Sequence, residues 1–335
     1  MPKPAIPAPS AAETSALRDG VALGPRPGDR LDLTGADRER FLHNLVTCEV
    51  RGLAPGRVAR GFLTHVKGGV LADVDVVALD DRFRLVLPPG RGAAIRAHLD
   101  KHRIAERVEI EPRDDLAALA LRGARAPELL AALGLVEPEP GERVEVELAG
   151  ASVELRREAR GREPRFELEI AAAERDAVVA ALSSAGSRSG LVEVSQAALD
   201  CARIEDGELA WGVDYAEESF PQETGEDEAV SYAKGCYLGQ EVVARIHYRG
   251  AVQRGPRGLR FAPGPPLPGT ALLHGGRPAG RVTSVALSPA FGAIGLALVH
   301  RRVGEPPAAV ELEGGGSAAL TALPFGGEDE PGARA

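Results

Sequence analysis

The segment Tyr232-Ala-Lys-Gly-Cys-Tyr-Leu-Gly-Gln-Glu-Val-Val-Ala-Arg-Ile-His-Tyr-Arg249 concentrates residue types that the rest of the chain uses sparingly. Only four of the 40 basic residues are lysines, yet Lys234 stands two positions before Cys236, one of three cysteines. All four tyrosines and the single tryptophan, Trp211, lie between positions 211 and 248. Such a concentration is typical of a functional site, and it indicates this part of the chain as the place to look for one.

Cys236 is predicted to lie just before the N-terminus of a helix, because Gly239 favours a turn and Glu241 suits the first helical turn. A helix N-terminus and a nearby ammonium both favour the thiolate, so we expect Lys234 to be the cationic partner of a reactive Cys236. The alternative is that Cys236 is a buried small hydrophobic residue and Lys234 is merely solvated, as single cysteines and lysines usually are. The spacing leaves both interpretations open.

Basic residues outnumber acidic ones between positions 234 and 260, where Glu241 is the single acid. One interpretation is an anion-binding surface for polyglutamate, phosphate or RNA. The other is a solvated, arginine-rich linker that follows an acidic loop. The basic residues are Lys234, Arg245, Arg249, Arg254, Arg257 and Arg260.

The bulk composition excludes several classes of protein. A length of 335 residues predicts two or three domains, and 44% hydrophobic with 27% charged residues is typical of a soluble globular protein. The net charge of −9 argues against a general nucleic-acid coat or a membrane-surface protein. The cysteines show no C-x-x-C spacing and the histidines no ligand-like spacing, so neither a disulfide framework nor a metal site is predicted. No apolar run approaches the roughly 18 residues of a membrane span, and we expect a cytoplasmic protein.

The order of the predicted strands and helices favours an α+β fold over a parallel doubly wound sheet. Residues 1–27 begin with a Pro- and Ala-rich stretch and are predicted to be a disordered tail, without the apolar segment of a signal peptide. Residues 28–250 are predicted to form two mixed α/β units split near residue 115. The loop from Asp206 to Tyr232 is long enough to be functional or disordered.

Turn and strand signals give more detail at two places. Lys67-Gly-Gly69 predicts the turn of a β-hairpin whose second strand has Val70, Ala72, Val74 and Val76 on one face. From 251 to 325, Gly, Pro and short alternating strands predict a small antiparallel β-barrel. Residues 326–335 are predicted to be an acidic, mobile tail.

The stretch Lys234-Gly-Cys-Tyr-Leu-Gly-Gln-Glu241 resembles the YgfZ family signature K-G-C-[FY]-x-G-Q-E at every defined position. The resemblance covers roughly residues 28–325 and includes Gly68-Gly-Val-Leu-Ala-Asp73, Arg203-Ile-Glu-Asp-Gly207 and Trp211-Gly-Val-Asp214. These proteins are folate-binding relatives of the glycine-cleavage T-protein, associated with iron–sulfur cluster assembly or repair and with tRNA modification. The resemblance implies two mixed α/β units of T-protein-like folate-binding fold plus a C-terminal barrel, three domains in a ring around tetrahydrofolate.

The resemblance also implies which residues hold the cofactor. Asp214 stands where T-proteins carry a pterin-binding glutamate, and a carboxylate can accept two hydrogen bonds from an amino-pyrimidinone edge. Trp211 and Tyr215 are assigned a stacking role, with core packing as the alternative for Trp211. The glutamate tail of a folate is an anionic partner for arginines. The remaining assigned cofactor contacts are Gln240, Glu241, Arg245 and Arg249.

The main rival is a true aminomethyltransferase of the T-protein type. An ungapped comparison places Pro88 at the asparagine and Ile95 at the catalytic aspartate of the T-protein, and no acid occurs between Arg82 and Leu99. We therefore do not expect aminomethyl transfer, and whether the protein is an enzyme at all stays open, with Cys236 and Lys234 as the candidate catalytic residues.

The sequence thus predicts a tetrahydrofolate-binding accessory protein that supports iron–sulfur enzymes, including those that modify tRNA. Its expected partners are folate, iron–sulfur enzymes as clients and, indirectly, tRNA, with no membrane and a monomeric state. Three alternatives stay open: a folate-dependent aminomethyltransferase or other one-carbon transferase, an RNA-binding module that uses the arginines between 245 and 260, and a scaffold without a ligand.

Overall fold

The structure is a computed structural model that describes residues 6, 8–187, 189–250 and 252–327. The chain divides into two compact units. The double-sheet unit comprises residues 15–194 and 228–240. The barrel unit comprises the described residues within 1–14, 195–227 and 241–335.

The described residues form seven α-helices and seventeen β-strands. The helices are α1 (Ala11–Arg18), α2 (Arg38–His43), α3 (Gly92–His102), α4 (Ala126–Ala132), α5 (Arg175–Gly186), α6 (Gln196–Glu205) and α7 (Gln240–Arg249). The strands of the double-sheet unit are β1 (Val21–Pro25), β2 (Asp29–Thr34), β3 (Val58–Thr64), β4 (Val70–Ala78), β5 (Phe83–Leu87), β6 (Glu109–Pro112), β7 (Leu116–Arg122), β8 (Arg143–Leu148), β9 (Ala151–Arg157), β10 (Arg165–Ala171) and β11 (Leu191–Glu193). Those of the barrel unit are β12 (Arg254–Phe261), β13 (Ala271–His274), β14 (Arg277–Ser288), β15 (Gly292–His300), β16 (Ala308–Leu312) and β17 (Ser317–Thr321).

The two sheets of the double-sheet unit repeat one topology. The five-stranded sheet has the order β3-β4-β5-β2-β6, and the six-stranded sheet has the order β8-β9-β10-β7-β1-β11. The second order is the first with β1 inserted before the last strand, where it pairs antiparallel with β7 and parallel with β11. A structural repeat is therefore present although the sequence shows no repeat of fixed period.

The first sheet buries its apolar face against α2 and α3. Val70, Ala72, Val74 and Val76 of β4 are fully buried, which confirms the predicted hairpin face. The hairpin turn lies between β3 and β4, and Gly68 has a φ of +81°, a conformation that favours glycine. The second sheet buries an equivalent apolar face against α4 and α5.

A buried ionic layer occupies the opposite faces of these two sheets. Arg30 of β2 contacts Glu167 at 2.8 Å and Glu169 at 2.7 Å, and Arg156 of β9 contacts Asp75 of β4 at 2.9 Å. The two sheets are thus joined by ion pairs rather than by an apolar core. The members of the ionic layer are Arg30, Asp32, Asp75, Arg84, Glu154, Arg156, Glu167 and Glu169.

The barrel unit contains a closed barrel of six strands in the order β12-β15-β14-β13-β16-β17. All its strand pairs are antiparallel, so the predicted small antiparallel barrel is confirmed. Its interior is apolar, with Leu259, Leu272, Val282 and Ala297 fully buried. The α+β fold class is likewise confirmed.

The start of the described chain differs from the predicted tail over 1–27. Residues 11–18 form α1 and residues 21–25 form β1 within the six-stranded sheet; residues 1–5 and 7 lie outside the described residues. The hydrogen bonds of Glu13 account for the regular structure at this end of the described chain. Its carboxylate accepts hydrogen bonds from the backbone and hydroxyl of both Ser10 and Ser195, the latter being the N-cap of α6. These hydrogen bonds lower the pKa of Glu13 to about 2.

The predicted acidic tail and the predicted long loop can also be compared with the structure. Gly326 and Gly327 are described, and the rest of the predicted acidic tail lies outside the described residues. The loop after α6 contains two short 3₁₀ helices, Pro221–Glu223 and Asp227–Ala229, and buries Gln222 and Glu223. No described helix is long and apolar enough to cross a membrane.

Candidate functional site

Lys234 is buried and binds three backbone carbonyls of the double-sheet unit. Its ammonium donates to the carbonyl oxygens of His43 at 2.8 Å, Val46 at 2.7 Å and Cys48 at 2.6 Å. The first of these belongs to the last residue of α2, whose end carries carbonyls without helical partners. Burial lowers the pKa of Lys234 to about 8, so the ammonium is its main form at neutral pH.

This geometry differs from the predicted pairing of Lys234 with Cys236. All three ammonium hydrogens point at carbonyls, so Lys234 holds the segment after α2 in place and is not the ionic partner of the thiol. The predicted helix start is confirmed, since α7 begins at Gln240. Cys236 lies four residues before that start.

Cys236 is exposed, and it lines a cleft of about 370 Å³ in the double-sheet unit. Phe41, Asn44, His102 and Glu106 also line the cleft. Tyr237 also lines it, and its buried hydroxyl has no hydrogen-bond partner among the described residues. The exposed thiol contradicts the alternative that Cys236 is a core residue.

The other two cysteines behave differently. Cys48 and Cys201 are buried at 6% and 3% exposure, and burial raises the pKa of the Cys48 thiol to about 12. A thiol reagent will therefore react with Cys236 first in the folded protein.

Asp214 is the centre of a hydrogen-bond cluster in the barrel unit. Its fully buried carboxylate accepts from Arg203 and from the backbone of Ala210, both at 2.9 Å. The hydroxyls of Thr283 and Ser284 on β14 donate to the other oxygen at 2.5 and 2.6 Å. The carboxylate thus joins α6, the following loop and the barrel.

Trp211 and Tyr215 form the turn that presents Asp214. The two residues make an isolated parallel β-bridge, and the backbone N–H of Gly212 donates to the carbonyl of Tyr215 at 2.7 Å. Tyr215 is buried at 4% exposure. A cavity of about 400 Å³ lies beside this cluster in the barrel unit, lined by Asp200, Cys201, Arg203, Thr283, Ser284 and Val285 among others.

Most of the predicted anion-binding arginines already have partners. Arg245 and Glu241 form an exposed i,i+4 pair on α7 at 2.6 Å. Arg254 pairs with Glu223 and Arg257 with Glu305, while Arg260 stacks on the rings of Phe291 and Phe325. Gln240 and Arg249 occupy the two ends of α7. The predicted basic surface is therefore largely neutralised within the barrel unit, which weakens the RNA-binding alternative.

Ile95 is fully buried in the apolar core of the first sheet, as expected for an apolar side chain. The fold nevertheless brings an acid to the start of the same helix: Asp29 of β2 accepts a hydrogen bond from the backbone N–H of Gly92 at 2.6 Å. The comparison over Arg82 to Leu99 could not detect it, because Asp29 lies more than fifty residues earlier in the chain. The absence of an acid within that short stretch is therefore a poor argument against aminomethyl transfer.

Comparison with known proteins gives a consistent result. Residues 5–234 match the family model described as the GCVT N-terminal domain. The chain is 32% identical over 299 residues to an aminomethyltransferase of Thermus thermophilus, covering 87% of this chain and 82% of the relative. The chain belongs to the aminomethyltransferase family.

Other relatives of this family extend the match. An aminomethyltransferase of Saccharopolyspora erythraea is 30% identical over 330 residues, covering 94% of this chain and 89% of the relative. The crystal structure of glycine cleavage system aminomethyltransferase T from Bartonella henselae superposes with a TM-score of 0.84 at 23% identity, covering 93% of this chain and 88% of that chain. This structural likeness confirms the T-protein-like fold.

These relatives correct the functional prediction. The iron–sulfur accessory role was wrong as the main interpretation, and so was the expectation that aminomethyl transfer would not occur. The chain matches relatives named aminomethyltransferase over most of their length. The prediction gave more weight to two aligned positions, Pro88 and Ile95, than to the similarity over the whole chain.

Proposed function

We propose that this protein is a tetrahydrofolate-dependent aminomethyltransferase. The observation that carries the proposal is the match to relatives of that name over 82–89% of their own length. The shared fold supports it, because the match is not confined to a single domain.

The proposal is tested by turnover of the one-carbon unit. The purified full chain, given 5,10-methylene-tetrahydrofolate labelled at the methylene carbon, ammonium and a thiol, is expected to move the label into an aminomethyl thioether and release tetrahydrofolate. Label transfer is measured by mass spectrometry against a heat-inactivated sample. Equal transfer in both samples would contradict the proposal.

The proposed pterin contact is Asp214, with Trp211 and Tyr215 beside it. The carboxylate already accepts four hydrogen bonds, so a pterin N–H must replace one of them. Thr283 can give way, because its hydroxyl has a second acceptor in the carbonyl of Leu296 at 3.0 Å. Rotation of the Thr283 hydroxyl toward Leu296 would free one position on the Asp214 carboxylate to accept a pterin N–H.

Asp214→Asn is expected to weaken tetrahydrofolate binding about tenfold, since a charge-assisted hydrogen bond becomes a neutral one. Calorimetric titration gives the Kd. Asp200→Asn is the matched control, because Asp200 also pairs with Arg203 but is half exposed at the cavity. Weakening by Asp200→Asn alone would move the proposed contact to the cavity, and no weakening by Asp214→Asn would remove Asp214 from the site.

Within this family we propose that the chain belongs to the YgfZ branch, on the strength of the stretch from Lys234 to Glu241. The exposure of Cys236 and its place in a cleft support a reactive role for that thiol. The predicted iron–sulfur clients and tRNA are not part of the proposal.

A further inference from the structure

His43 is a buried histidine that the sequence patterns did not single out. It is the last residue of α2, and its side chain is only 1% exposed. Its own backbone carbonyl accepts from the Lys234 ammonium, so the residue is fixed at its backbone. A buried imidazole normally has hydrogen-bond partners for both ring nitrogens, which makes its surroundings informative.

The two ring nitrogens of His43 face different groups. The carboxylate of Glu49 lies 2.9 Å from Nδ1, within ion-pair distance but not aligned as a hydrogen bond. Within the part of the chain that the structure describes, Nε2 has no hydrogen-bond partner. Glu49 favours the tautomer with the proton on Nδ1, which leaves Nε2 as a proton acceptor.

Nε2 faces the backbone of Gly235. A Cβ added at Gly235 would meet Nε2 at 3.5 Å and, apart from its two chain neighbours, no other described atom within 4 Å. Gly235 and Cys236 are both exposed. Nε2 is itself buried, but the residue beside it directly precedes Cys236 in the chain, and consecutive Cα atoms are only about 3.8 Å apart.

We propose that His43, oriented by Glu49, is the proton acceptor for the Cys236 thiol. When the thiol attacks an electrophilic carbon, the S–H bond breaks, its proton passes to Nε2, and sulfur forms a bond to carbon as the leaving group departs with its electron pair. The imidazolium that results is stabilised by the Glu49 carboxylate. The inference rests on the proposed reactivity of Cys236 but requires neither folate nor aminomethyl transfer.

The charges around His43 suit this role. Burial, and next the positive charge of Lys234, lower the pKa of His43, with Arg51 acting in the same direction and Glu49 opposing it. The imidazole is therefore neutral at pH 7 and able to accept a proton. The cleft that holds the thiol also carries His102 and Glu106.

The test is the rate at which iodoacetamide alkylates Cys236 in the folded full chain, followed by mass spectrometry across pH. His43→Gln is expected to lower the rate at pH 7 about tenfold. The difference should shrink above pH ~8.5, where free thiols ionise unaided, and at low pH, where His43 is protonated. The alkylation rate of Glu49→Gln should lie between the rates of the wild type and His43→Gln. Equal rates at pH 7 in wild type and His43→Gln would overturn the proposal.

Two further variants keep the test decisive. Gly235→Ala places a methyl group at ordinary contact distance from Nε2, so it should leave the melting temperature unchanged and still lower the rate several-fold. Glu147→Gln changes an exposed carboxylate on β8, which does not line the cleft, and should leave the rate unchanged. If His43→Gln unfolds the chain, the buried Cys48 and Cys201 become alkylated as well, and Gly235→Ala then decides: an unchanged rate there overturns the proposal.

Discussion

Lys234→Met is expected to lower the free energy of unfolding by about 4 kcal/mol, one of the largest losses a single substitution can cause here. The methionine fills most of the space of the lysine stem but leaves the carbonyls of His43, Val46 and Cys48 without their donor. Each buried carbonyl left unpaired costs about 1–3 kcal/mol, and water can recover part of that sum. Urea denaturation followed by circular dichroism at pH 7 measures the loss.

Lys101→Met is the matched control for this substitution. Lys101 is exposed in the last turn of α3, so its replacement should change the free energy of unfolding by less than about 0.5 kcal/mol. The fluorescence of Trp211, which belongs to the barrel unit, follows that unit separately. A Lys234→Met protein as stable as the Lys101→Met protein would show that the three hydrogen bonds do not hold the segment after α2.

The same lysine shows where prediction from sequence stops. Turn chemistry and alternation predicted the hairpin at Lys67-Gly-Gly69, the start of α7 and the antiparallel barrel, because each depends on neighbouring residues. The partners of Lys234 are backbone carbonyls about 190 residues earlier in the chain. A carbonyl carries no side-chain signature, so spacing alone could only suggest the nearby thiol as a partner.

The groups around Cys236 escaped prediction for a related reason. His43 and Glu49 are six residues apart, a spacing with no helical or strand periodicity, and only the fold turns Nε2 toward Gly235. Asp29 likewise reaches the start of α3 through the pairing of β2 within its sheet. Rare residue types identified the right segment of the sequence, whereas the residues that complete its chemistry come from tertiary structure.

The second large effect is expected in the ionic layer, at Glu167. Its carboxylate, 3% exposed, accepts from Arg26 at 2.9 Å, Arg30 at 2.8 Å and Arg156 at 2.6 Å. Glu167→Gln keeps the size of the side chain but removes the charge that three guanidinium groups share. Leaving buried charges uncompensated costs about 3–5 kcal/mol, so we expect a loss of that size.

The pH dependence of stability should report the same interaction. Burial alone would raise the pKa of Glu167, but Arg156, Arg26 and Arg30 lower it well below its ordinary value. A carboxyl with a lowered folded-state pKa contributes stability that is complete above about pH 4.5 and is lost as the pH falls. The wild type should therefore lose stability steeply below pH ~4.5, and Glu167→Gln should show a shallower slope there.

Two comparisons separate this ionic contribution from a general effect of substitution in the sheet. Glu147→Gln changes an exposed glutamate on β8 of the same sheet and should alter the free energy of unfolding by less than about 0.5 kcal/mol. Arg156→Met combined with Glu167→Met removes two opposite charges together. Its loss should be smaller than the sum of the two single losses by about 1–3 kcal/mol, because each single variant leaves a partner unpaired. Strict additivity would mean that Arg156 and Glu167, which face each other on neighbouring strands of one sheet, contribute independently of their pairing.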